Sequence, residues 1–412
     1  MPSVIIVGGG LSGLCLAQAL ANHDGDVRIF ERDARPDVRG QGYRLTINEI
    51  GSEALRACLP PRHYEFIRAT ASRIGRRAAF IVLDERGREF HRAAFDVASL
   101  EQRGLITGQV DRHTLRQALL DGLGRRVQFG KTFVAYQEQA GGVAAQFEDG
   151  SSAAGDVLVG ADGTHSRVRR QRLPDAEPRD TGIRAIFGRT YVSAVSMPLL
   201  GPMLADGGIM AVGPHDAIFF CTSMRFRELP AVVAARMGIE GAAWPTQDYF
   251  MWAVVVRKSA PAASPAPALD AQSVHALAAQ AVERFHDDFH GLVQHAHLKD
   301  LILVPICAAP TPRSSRPSRI TLIGDAVHTM PPFGAHGANT ALRDARTLAA
   351  QLAGASNTIE SAVGAYESEM QGYSARLVRS SVRTMTVATA DFPLKQTIVR
   401  NALRLARMFS RS

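Results

Sequence analysis

The sequence predicts an α/β fold built around a Rossmann-like dinucleotide-binding domain whose parts lie far apart in the chain. The apolar run Val4–Val7 leads into a GxGxxG turn and then into a helical segment. A second apolar run, Ile320–Ile323, ends at Gly324–Asp325 and also precedes a helical segment. Between them, residues 180–300 contain several β-rich apolar stretches. Because open α/β sheets bind ligands beyond the carboxyl ends of their strands, both turns are candidate binding loops.

The N-terminal turn carries three glycines with separate structural roles. Gly8 permits the tight turn, Gly10 lets a pyrophosphate approach the backbone, and Gly13 allows the helix to pack closely on the strand. Ser12 lies inside the same turn, and we predict that it also contacts the cofactor. A GxGxxG sequence alone also has purely structural uses, but its position between a strand and a helix favours a dinucleotide site.

An acidic residue follows the second strand at the spacing expected for ribose recognition. Val27–Phe30 ends at Glu31, 18 residues after Gly13, and this carboxylate can accept hydrogen bonds from an adenosine ribose. Arg32 could favour a phosphorylated ribose or could simply face solvent, and both interpretations stay open. Strands and helices do not keep alternating after this point, which counts against a simple nicotinamide dehydrogenase.

The loop after the distal strand is suited to an electron-rich ligand. Asp325 stands at the end of that strand, and Pro331–Pro332 and a glycine-bearing loop precede the helical segment. The N-terminus of a helix presents free backbone N–H groups and the positive end of the helix dipole. We therefore expect this loop to hold a group that gains negative charge, as a flavin ring does on reduction.

A third motif lies in the middle of the chain. The run Val157–Gly160 reads as a strand, and Asp162–Gly163 as the turn that follows it. Ser166 is placed to cap the next helix, which begins close to Arg169. Considered alone, this segment is equally well explained as an ordinary structural turn.

Together, the GxGxxG turn, Asp162–Gly163 with Ser166 and Arg169, and the Gly324–Asp325 segment resemble the single-component FAD-dependent aromatic hydroxylases. These are the class A flavoprotein monooxygenases, which have the para-hydroxybenzoate hydroxylase fold. The resemblance covers residues 1–355 in order and spacing, and Arg112 matches the family's arginine that opens a helix near FAD.

This resemblance implies a role in cofactor binding for each matched residue. Gly8, Gly10 and Gly13 would cradle the pyrophosphate, Glu31 would hold the ribose, and Arg112 would contact the ribityl–phosphate region. The remaining implied FAD contacts are Val134 near the adenine, Asp162 and Gly163 near FAD and the nicotinamide donor, Asp325 and Pro332 in the distal loop, and Gly337, Ala338 and Asn339 beside the isoalloxazine ring.

The resemblance also implies a reaction. NADPH or NADH, bound only transiently, would reduce FAD, and O2 would add to give a flavin C4a-hydroperoxide that hydroxylates an aromatic or polyketide-like small molecule. The alternatives are a Baeyer–Villiger or epoxidising reaction on the same fold, and a flavin-binding pathway protein without turnover. A halogenase is disfavoured because the Trp-x-Trp-x-Ile-Pro signature is missing.

No residue is required as a catalytic base, and two residues are candidates for a supporting role. Arg44 falls where the family's chain passes the flavin ring, and could orient flavin or substrate or be an exposed arginine. His336 replaces a glutamine found in many relatives, and is interpreted either as a loop variant or as a catalytic histidine. Six apolar residues could line the substrate pocket or could pack in the core: Met210, Phe219, Phe220, Met224, Phe250 and Trp252.

The motifs divide the chain into four predicted segments. Residues 1–180 form the first part of the FAD-binding domain, with pieces of the substrate domain near residues 42–105. Residues 181–300 form an inserted β-sheet substrate domain, and residues 301–355 the second part of the FAD-binding domain. Residues 356–412 form C-terminal helices, and the last of these, near 392–412, is basic and amphipathic. We expect it to pack on the protein or on a second subunit rather than on a membrane surface.

Composition narrows the class further. The 412 residues are enough for two domains or for one large core with an insertion. The four cysteines show no CxxC spacing, so neither a disulfide scaffold nor a metal site is expected. The net charge of +8 comes from dispersed arginines without interleaved aromatic residues, which disfavours nucleic acid. No apolar run reaches the roughly 18 residues of a membrane span. We expect a cytoplasmic monomer or homodimer without stable membrane insertion.

Overall fold

The structure is a computed structural model that describes residues 1–36, 43–75, 77–213, 217–257, 269–310, 318–354 and 358–390. The strands are β1 (Val4–Val7), β2 (Val27–Phe30), β3 (Arg44–Ile47), β4 (Ala79–Asp84), β5 (Glu89–Ala94), β6 (Gly108–Asp111), β7 (Val127–Gln128), β8 (Phe133–Gln139), β9 (Gly142–Phe147), β10 (Ser152–Gly155), β11 (Val157–Gly160), β12 (Arg179–Tyr191), β13 (Gly207–Val212), β14 (Ile218–Met224), β15 (Tyr249–Arg257), β16 (Ile302–Ala308) and β17 (Ile320–Leu322).

Helices connect and cover these strands. They are α1 (Leu11–Ala21), α2 (Glu49–Cys58), α3 (Pro61–Thr70), α4 (Val97–Gln102), α5 (Arg112–Leu120), α6 (Arg167–Arg172), α7 (Leu200–Asp206), α8 (Pro230–Met237), α9 (Ala271–Ala281), α10 (Asp287–Gln294), α11 (Asp325–His328), α12 (His336–Ala353) and α13 (Ile359–Thr389). Along the described part of the chain, no helix combines the length and the apolar character needed to cross a bilayer.

The two predicted halves of the nucleotide domain meet in one parallel sheet. Its strands lie in the order β17, β11, β1, β2 and β7, so β11 joins the N-terminal strand to the distal one. Val4 pairs with Val157, and Leu158 pairs with Ile320. Every residue of β1 is buried because helices lie close against the sheet, which explains its unbroken apolar run. The predicted fold class is therefore confirmed.

A second, mixed sheet forms the wall opposite the nucleotide domain, and we call it the large sheet. Its order among the described residues is β16, β12, β15, β14, β13, β4 and β5. Strands β4 and β5 come from within residues 42–105, where pieces of the substrate domain were predicted. Strand β16 falls within the range predicted for the second FAD segment, yet it pairs with β12 in this sheet.

Side-chain alternation gives the large sheet two distinct faces. One face packs on α7, α9 and α10, and it takes Phe219, Phe250 and Trp252 into that core. The other face turns towards Tyr43 and includes three further apolar residues of the candidate set, which are Met210, Phe220 and Met224. Half of the predicted pocket residues are therefore core residues, because successive side chains on a strand point to opposite faces.

The long helix α13 packs into the core of the nucleotide domain. Its Val363, Tyr366 and Met370 lie in the same core cluster as β1 and α1. One sequence prediction, the basic amphipathic helix near 392–412, falls outside the described residues.

Candidate cofactor and substrate site

The GxGxxG turn is built so that a side chain would not fit at two of its glycines. Gly8 has φ +108°, and a Cβ there would lie 2.4 Å from the carbonyl oxygen of Ala161. A Cβ at Gly13 would lie 2.3 Å from the carbonyl oxygen of Gly8. At Gly10, by contrast, the nearest such atom is 3.9 Å away, so the space in front of it is open. The open position is the one at which a pyrophosphate is expected to approach.

Glu31 lies buried at the end of β2 and holds the turn in place. Its Oε2 accepts a hydrogen bond from the backbone N–H of Gly9 at 2.6 Å, and its Oε1 accepts one from that of Asp33 at 2.9 Å. Each carboxylate oxygen keeps a second lone pair, so a ribose hydroxyl could still donate to it. The structure therefore gives Glu31 a supporting role that its sequence position did not indicate.

Arg32 and Val134 are predicted contacts on the first half of the chain that are exposed to solvent. Arg32 lines an open cleft of about 310 Å³. The other lining residues of this cleft are Asp162, Gly163, Thr164, His165, Val304, Pro305 and Cys307. Val134 lies on β8 with 47% of its surface exposed, while the neighbouring Phe133 is buried. Arg32 thus lies beside Asp162–Gly163.

Arg112 begins α5 and lies close to the distal loop. Asp111 caps this helix by accepting a hydrogen bond from the N–H of Thr114 at 2.8 Å, and the N–H of Arg112 donates to the carbonyl of Tyr43. Burial lowers the pKa of Arg112, while the nearby carboxylate of Asp325 acts in the opposite direction. The buried Nε of Arg112 has no hydrogen-bond partner among the described atoms. Arg112 and Asp325, predicted from separate motifs, therefore face one region.

Asp162 leaves one oxygen free for a ligand. Its Oδ2 accepts hydrogen bonds from the N–H groups of Arg167 and Val168 at 2.7 and 3.2 Å. Burial raises the pKa of Asp162, and its buried Oδ1 has no hydrogen-bond partner among the described atoms. Gly163 follows with φ +77°, a conformation that favours glycine.

Ser166 and Arg169 tie the middle motif to the distal loop. Ser166 caps α6 by accepting a hydrogen bond from the N–H of Arg169 at 2.9 Å, which confirms the predicted cap. The fully buried guanidinium of Arg169 donates to the carbonyls of Ala326 at 3.0 Å and Thr164 at 2.8 Å. This arginine therefore fixes the spacing between two of the three motifs.

The distal loop turns sharply at Gly324. That residue has φ +63°, and a Cβ there would lie 2.9 Å from Oγ of Ser12. Ser12 is itself buried, so it contributes to the packing between the GxGxxG turn and the distal loop. Asp325 and Pro332 are exposed in this structure and remain available to a ligand.

The start of α12 offers the backbone donors that the sequence predicted. Ala335, in the left-handed conformation, precedes the helix, and no side chain caps it. The first-turn N–H groups, including those of Gly337 and Ala338, lack intrahelical partners. The side chain of Asn339 is fully used: it accepts from the N–H of Asn48 at 3.0 Å and donates to the carbonyls of Thr46 and Ala335 at 2.8 Å each. It therefore ties α12 to β3, and this side chain has no donor or acceptor left for a ligand.

His336 covers the glycine that precedes it in the loop. A Cβ at Gly334 would lie 2.6 Å from Nε2 of His336, so the ring lies against that glycine. The ring is half-buried, and burial lowers the pKa of His336. The positive end of the α12 dipole further disfavours an imidazolium at this position. His336 is therefore a neutral side chain near neutral pH.

Arg44 is buried, contrary to the exposed alternative, with 8% of its surface accessible. Its Nη1 donates to Thr46 Oγ1 and Gln109 Oε1, both at 2.9 Å, and its guanidinium lies 4.9 Å from the centre of the Phe220 ring. Burial lowers the pKa of Arg44 to about 10. Its Nε and Nη2 are buried without hydrogen-bond partners among the described atoms. Arg44 therefore presents two unused donors between the nucleotide domain and the large sheet.

Two groups of supporting residues were missed at the sequence level. Asp344 on α12 accepts hydrogen bonds from the N–H of Gly324, from His328 and from Tyr373. Tyr249 on β15 lies against Asp111, the residue before Arg112. The helical spacing around Asp344 gave a faint signal, but Tyr249 looks like any aromatic residue in an apolar strand.

These residues fit a bound FAD. The open position at Gly10, the uncapped start of α12 and the unpartnered atoms of Arg112 and Asp162 are donors and acceptors that a dinucleotide could satisfy. Buried polar groups without partners are costly, so a ligand that pairs with them gains affinity. In such an arrangement the flavin end would lie near α12, and the pyrophosphate near Gly10.

The chain belongs to a family of FAD-binding flavoproteins. The family model described as "FAD binding domain" matches residues 1–381, and this confirms the resemblance drawn from the motifs. The chain is 31% identical over 383 residues to the dual O-methyltransferase/FAD-dependent monooxygenase elcB of Phaeosphaeria nodorum, covering 84% of this chain and 39% of that protein. It is 27% identical over 372 residues to the FAD-dependent monooxygenase pynG of Aspergillus niger, covering 85% and 78%. The chain spans about two fifths of the length of the dual enzymes that it matches.

A solved structure shares the fold over almost the whole chain. The crystal structure of Klebsiella pneumoniae HpxO complexed with FAD and uric acid superposes with a TM-score of 0.76 at 22% identity. The match covers 98% of this chain and 92% of that one. At this identity the likeness shows the shared architecture, with FAD as the cofactor of the family.

Proposed function

We propose that this protein is an FAD-dependent monooxygenase that uses NADPH or NADH and O2 to hydroxylate an aromatic or polyketide-like small molecule. When bound, FAD would take electrons from the nicotinamide and transfer one oxygen atom of O2 to the substrate. The organic chemistry is that of the cofactor. The part of the protein is to bind FAD, orient the substrate and exclude water.

One observation carries this proposal: the side chain of Asn339 ties the start of α12 to β3, the strand of Arg44. The free amides of α12 and the unused donors of Arg44 therefore lie on connected elements. Phe220, on the inner face of the large sheet, lies against the guanidinium of Arg44. An electron-rich flavin edge at the amides would thus face a space walled by aromatic and apolar side chains. The monooxygenase names of the relatives agree with this arrangement.

The roles proposed for the other predicted residues follow from where these residues lie in the structure. Gly10 leaves room for the pyrophosphate, Glu31 would accept from the ribose, and Arg112 with Asp325 would hold the region between them. Asp162 and Gly163 border the cleft that contains Arg32, which is where the nicotinamide donor is proposed to enter. Arg44 is proposed to orient the substrate or the flavin, since a planar guanidinium suits an oxygen acceptor.

The experiment starts with the purified protein and its flavin content. The protein should be yellow or take up FAD, and a phenolic or polyketide substrate should raise its oxidation of NADPH or NADH. The product should gain one oxygen atom derived from isotopically labelled O2. Failure to bind FAD would overturn the proposal. Bound FAD with no oxygen transfer to any candidate substrate would favour a flavin-binding protein without turnover.

A further inference from the structure

A buried tyrosine of the large sheet lies against the segments that carry two site arginines. Tyr249 is fully buried on β15. Its hydroxyl lies 2.7 Å from Oδ2 of Asp111 and 2.9 Å from the carbonyl oxygen of Tyr43. The hydroxyl has one proton, and the ionised carboxylate is the stronger acceptor, so Asp111 takes the hydrogen bond.

Asp111 and Tyr43 are the residues directly before Arg112 and Arg44. The backbone N–H of Arg112 also donates to the Tyr43 carbonyl at 2.8 Å. In the antiparallel pair of β3 and β6, Arg44 lies opposite Asp111. The hydroxyl of Tyr249 therefore contacts the residue directly before each of the two arginines.

The carboxylate of Asp111 bonds Thr114 through one oxygen and Tyr249 through the other. Its Oδ1 accepts from the N–H and the hydroxyl of Thr114, both at 2.8 Å, and so caps α5. Its Oδ2 accepts from Tyr249. Burial raises the pKa of the Tyr249 hydroxyl, and the carboxylate of Asp111 adds to this effect. The hydroxyl therefore remains a donor at any physiological pH.

We propose that Tyr249 is a positioning residue that acts through Asp111 to set Arg112 and Arg44 against the large sheet. The proposal rests on the proposed function, since it gives the two arginines their places at the cofactor and substrate. It makes the large sheet, which walls the substrate space, a determinant of FAD affinity. Tyr249 itself is proposed to touch neither the reacting atoms nor the cofactor.

The test compares three variants of the full-length protein. Tyr249→Phe keeps the ring and removes the hydroxyl. Asp111→Asn keeps the oxygen that caps α5 but places an NH2 group, which cannot accept, where Oδ2 accepts from Tyr249. Each should raise the dissociation constant of FAD by about tenfold, the size expected for a lost hydrogen bond to a charged group. The double variant should bind FAD no more weakly than the weaker-binding single variant, because both changes remove the same interaction.

Tyr64→Phe is the matched control. Tyr64 is also buried, and its hydroxyl donates to the carbonyl of Gly104 at 3.0 Å, but it lies on α3. This variant should lose thermal stability without a change in FAD affinity. With an active enzyme, Tyr249→Phe should also increase the share of nicotinamide oxidised without product, whereas Tyr64→Phe should not.

Two outcomes would overturn the positioning role. One is a Tyr249→Phe protein that unfolds at a lower temperature but binds FAD as tightly as the parent. The other is a double variant in which the two losses add in full. If Tyr249→Phe does not fold, unchanged FAD affinity in Asp111→Asn alone would contradict the proposal. FAD affinity is read from flavin fluorescence without turnover, so failure here is distinguishable from failure to hydroxylate any substrate.

Discussion

The Nε2 atom of His328 lies 2.7 Å from Oδ2 of Asp344, and both side chains are fully buried. The same carboxylate accepts from the backbone N–H of Gly324 at 2.7 Å and from the hydroxyl of Tyr373 at 2.6 Å. One side chain on α12 thus joins the turn before Asp325, the helix α11 and the long helix α13. The distal loop is therefore held in place by bonds within the protein itself.

The first prediction concerns pH. Burial opposes a charge on His328, but the carboxylates of Asp344 and Asp325 outweigh it and raise its pKa above the ordinary value of 6.5. A group whose pKa is higher in the folded state stabilises the protein fully below its unfolded pKa, and this contribution is lost as pH rises through the folded pKa. Unfolding free energy from urea titrations should therefore fall above pH 6.5. In His328→Gln this part of the fall should disappear, and an unchanged pH profile would contradict the assignment.

The second prediction concerns the acceptor at the centre of this network. Asp344→Ala would leave three buried donors without their acceptor, and breaking a buried charged pair typically costs about 3–5 kcal/mol. Tyr373→Phe removes only one of these donors and should cost about 1 kcal/mol. Chemical denaturation measures both values. Equal losses in the two variants would show that the carboxylate does not organise the loop.

The third prediction separates cofactor space from packing space in the N-terminal turn. At Gly10 a Cβ would find open space, so Gly10→Ala should leave the FAD-free protein as stable as the parent. Its methyl group would occupy the pyrophosphate position, and a steric cost of ~1–3 kcal/mol would weaken FAD binding about tenfold or more. Differential scanning calorimetry and FAD titration measure the two effects.

Gly13→Ala is the contrasting variant. Its Cβ would lie 2.3 Å from the backbone oxygen of Gly8, so the helix must move away from the strand. Stability should fall even without FAD, by ~1–3 kcal/mol or more.

For Gly10→Ala, an FAD affinity equal to that of the parent protein would show that the pyrophosphate does not approach Gly10.

The fourth prediction concerns Arg44. In Arg44→Met the side chain keeps much of its volume but loses the donors Nε and Nη2, which are without partners among the described residues. If these donors serve the substrate, FAD content should stay normal while kcat/KM falls about a hundredfold, near the upper range for a hydrogen bond to a charged group. Arg44→Lys should restore little activity, because lysine lacks the planar pair of donors. A loss of bound FAD in Arg44→Met would instead assign the guanidinium to the flavin.

The sequence predicted the parts of the fold that depend on local pattern. The run Val4–Val7 is apolar because β1 is buried on both sides, and Gly8 is a glycine because its φ is positive. The cap by Ser166 also follows from local spacing. Such features depend on residues that are close in sequence, so they can be recognised without knowledge of tertiary contacts.

Features set by distant contacts could not be predicted in this way. Alternation along β14 shows that Phe219 and Phe220 face opposite sides, but only the packed helices decide which side is the core. Asn339 was expected at the flavin, yet its side chain is taken by the backbone of residues 46 and 48. Tyr249 gave no signal, because its partner Asp111 is 138 residues away.

A crystal structure of the protein with FAD bound is the sharpest test of the proposed site. We predict the pyrophosphate at Gly10 and the flavin ring at the free N–H groups that begin α12, with Arg44 and Phe220 on the substrate side of the ring. FAD bound elsewhere, or a ring turned away from α12 and the large sheet, would overturn the proposed site.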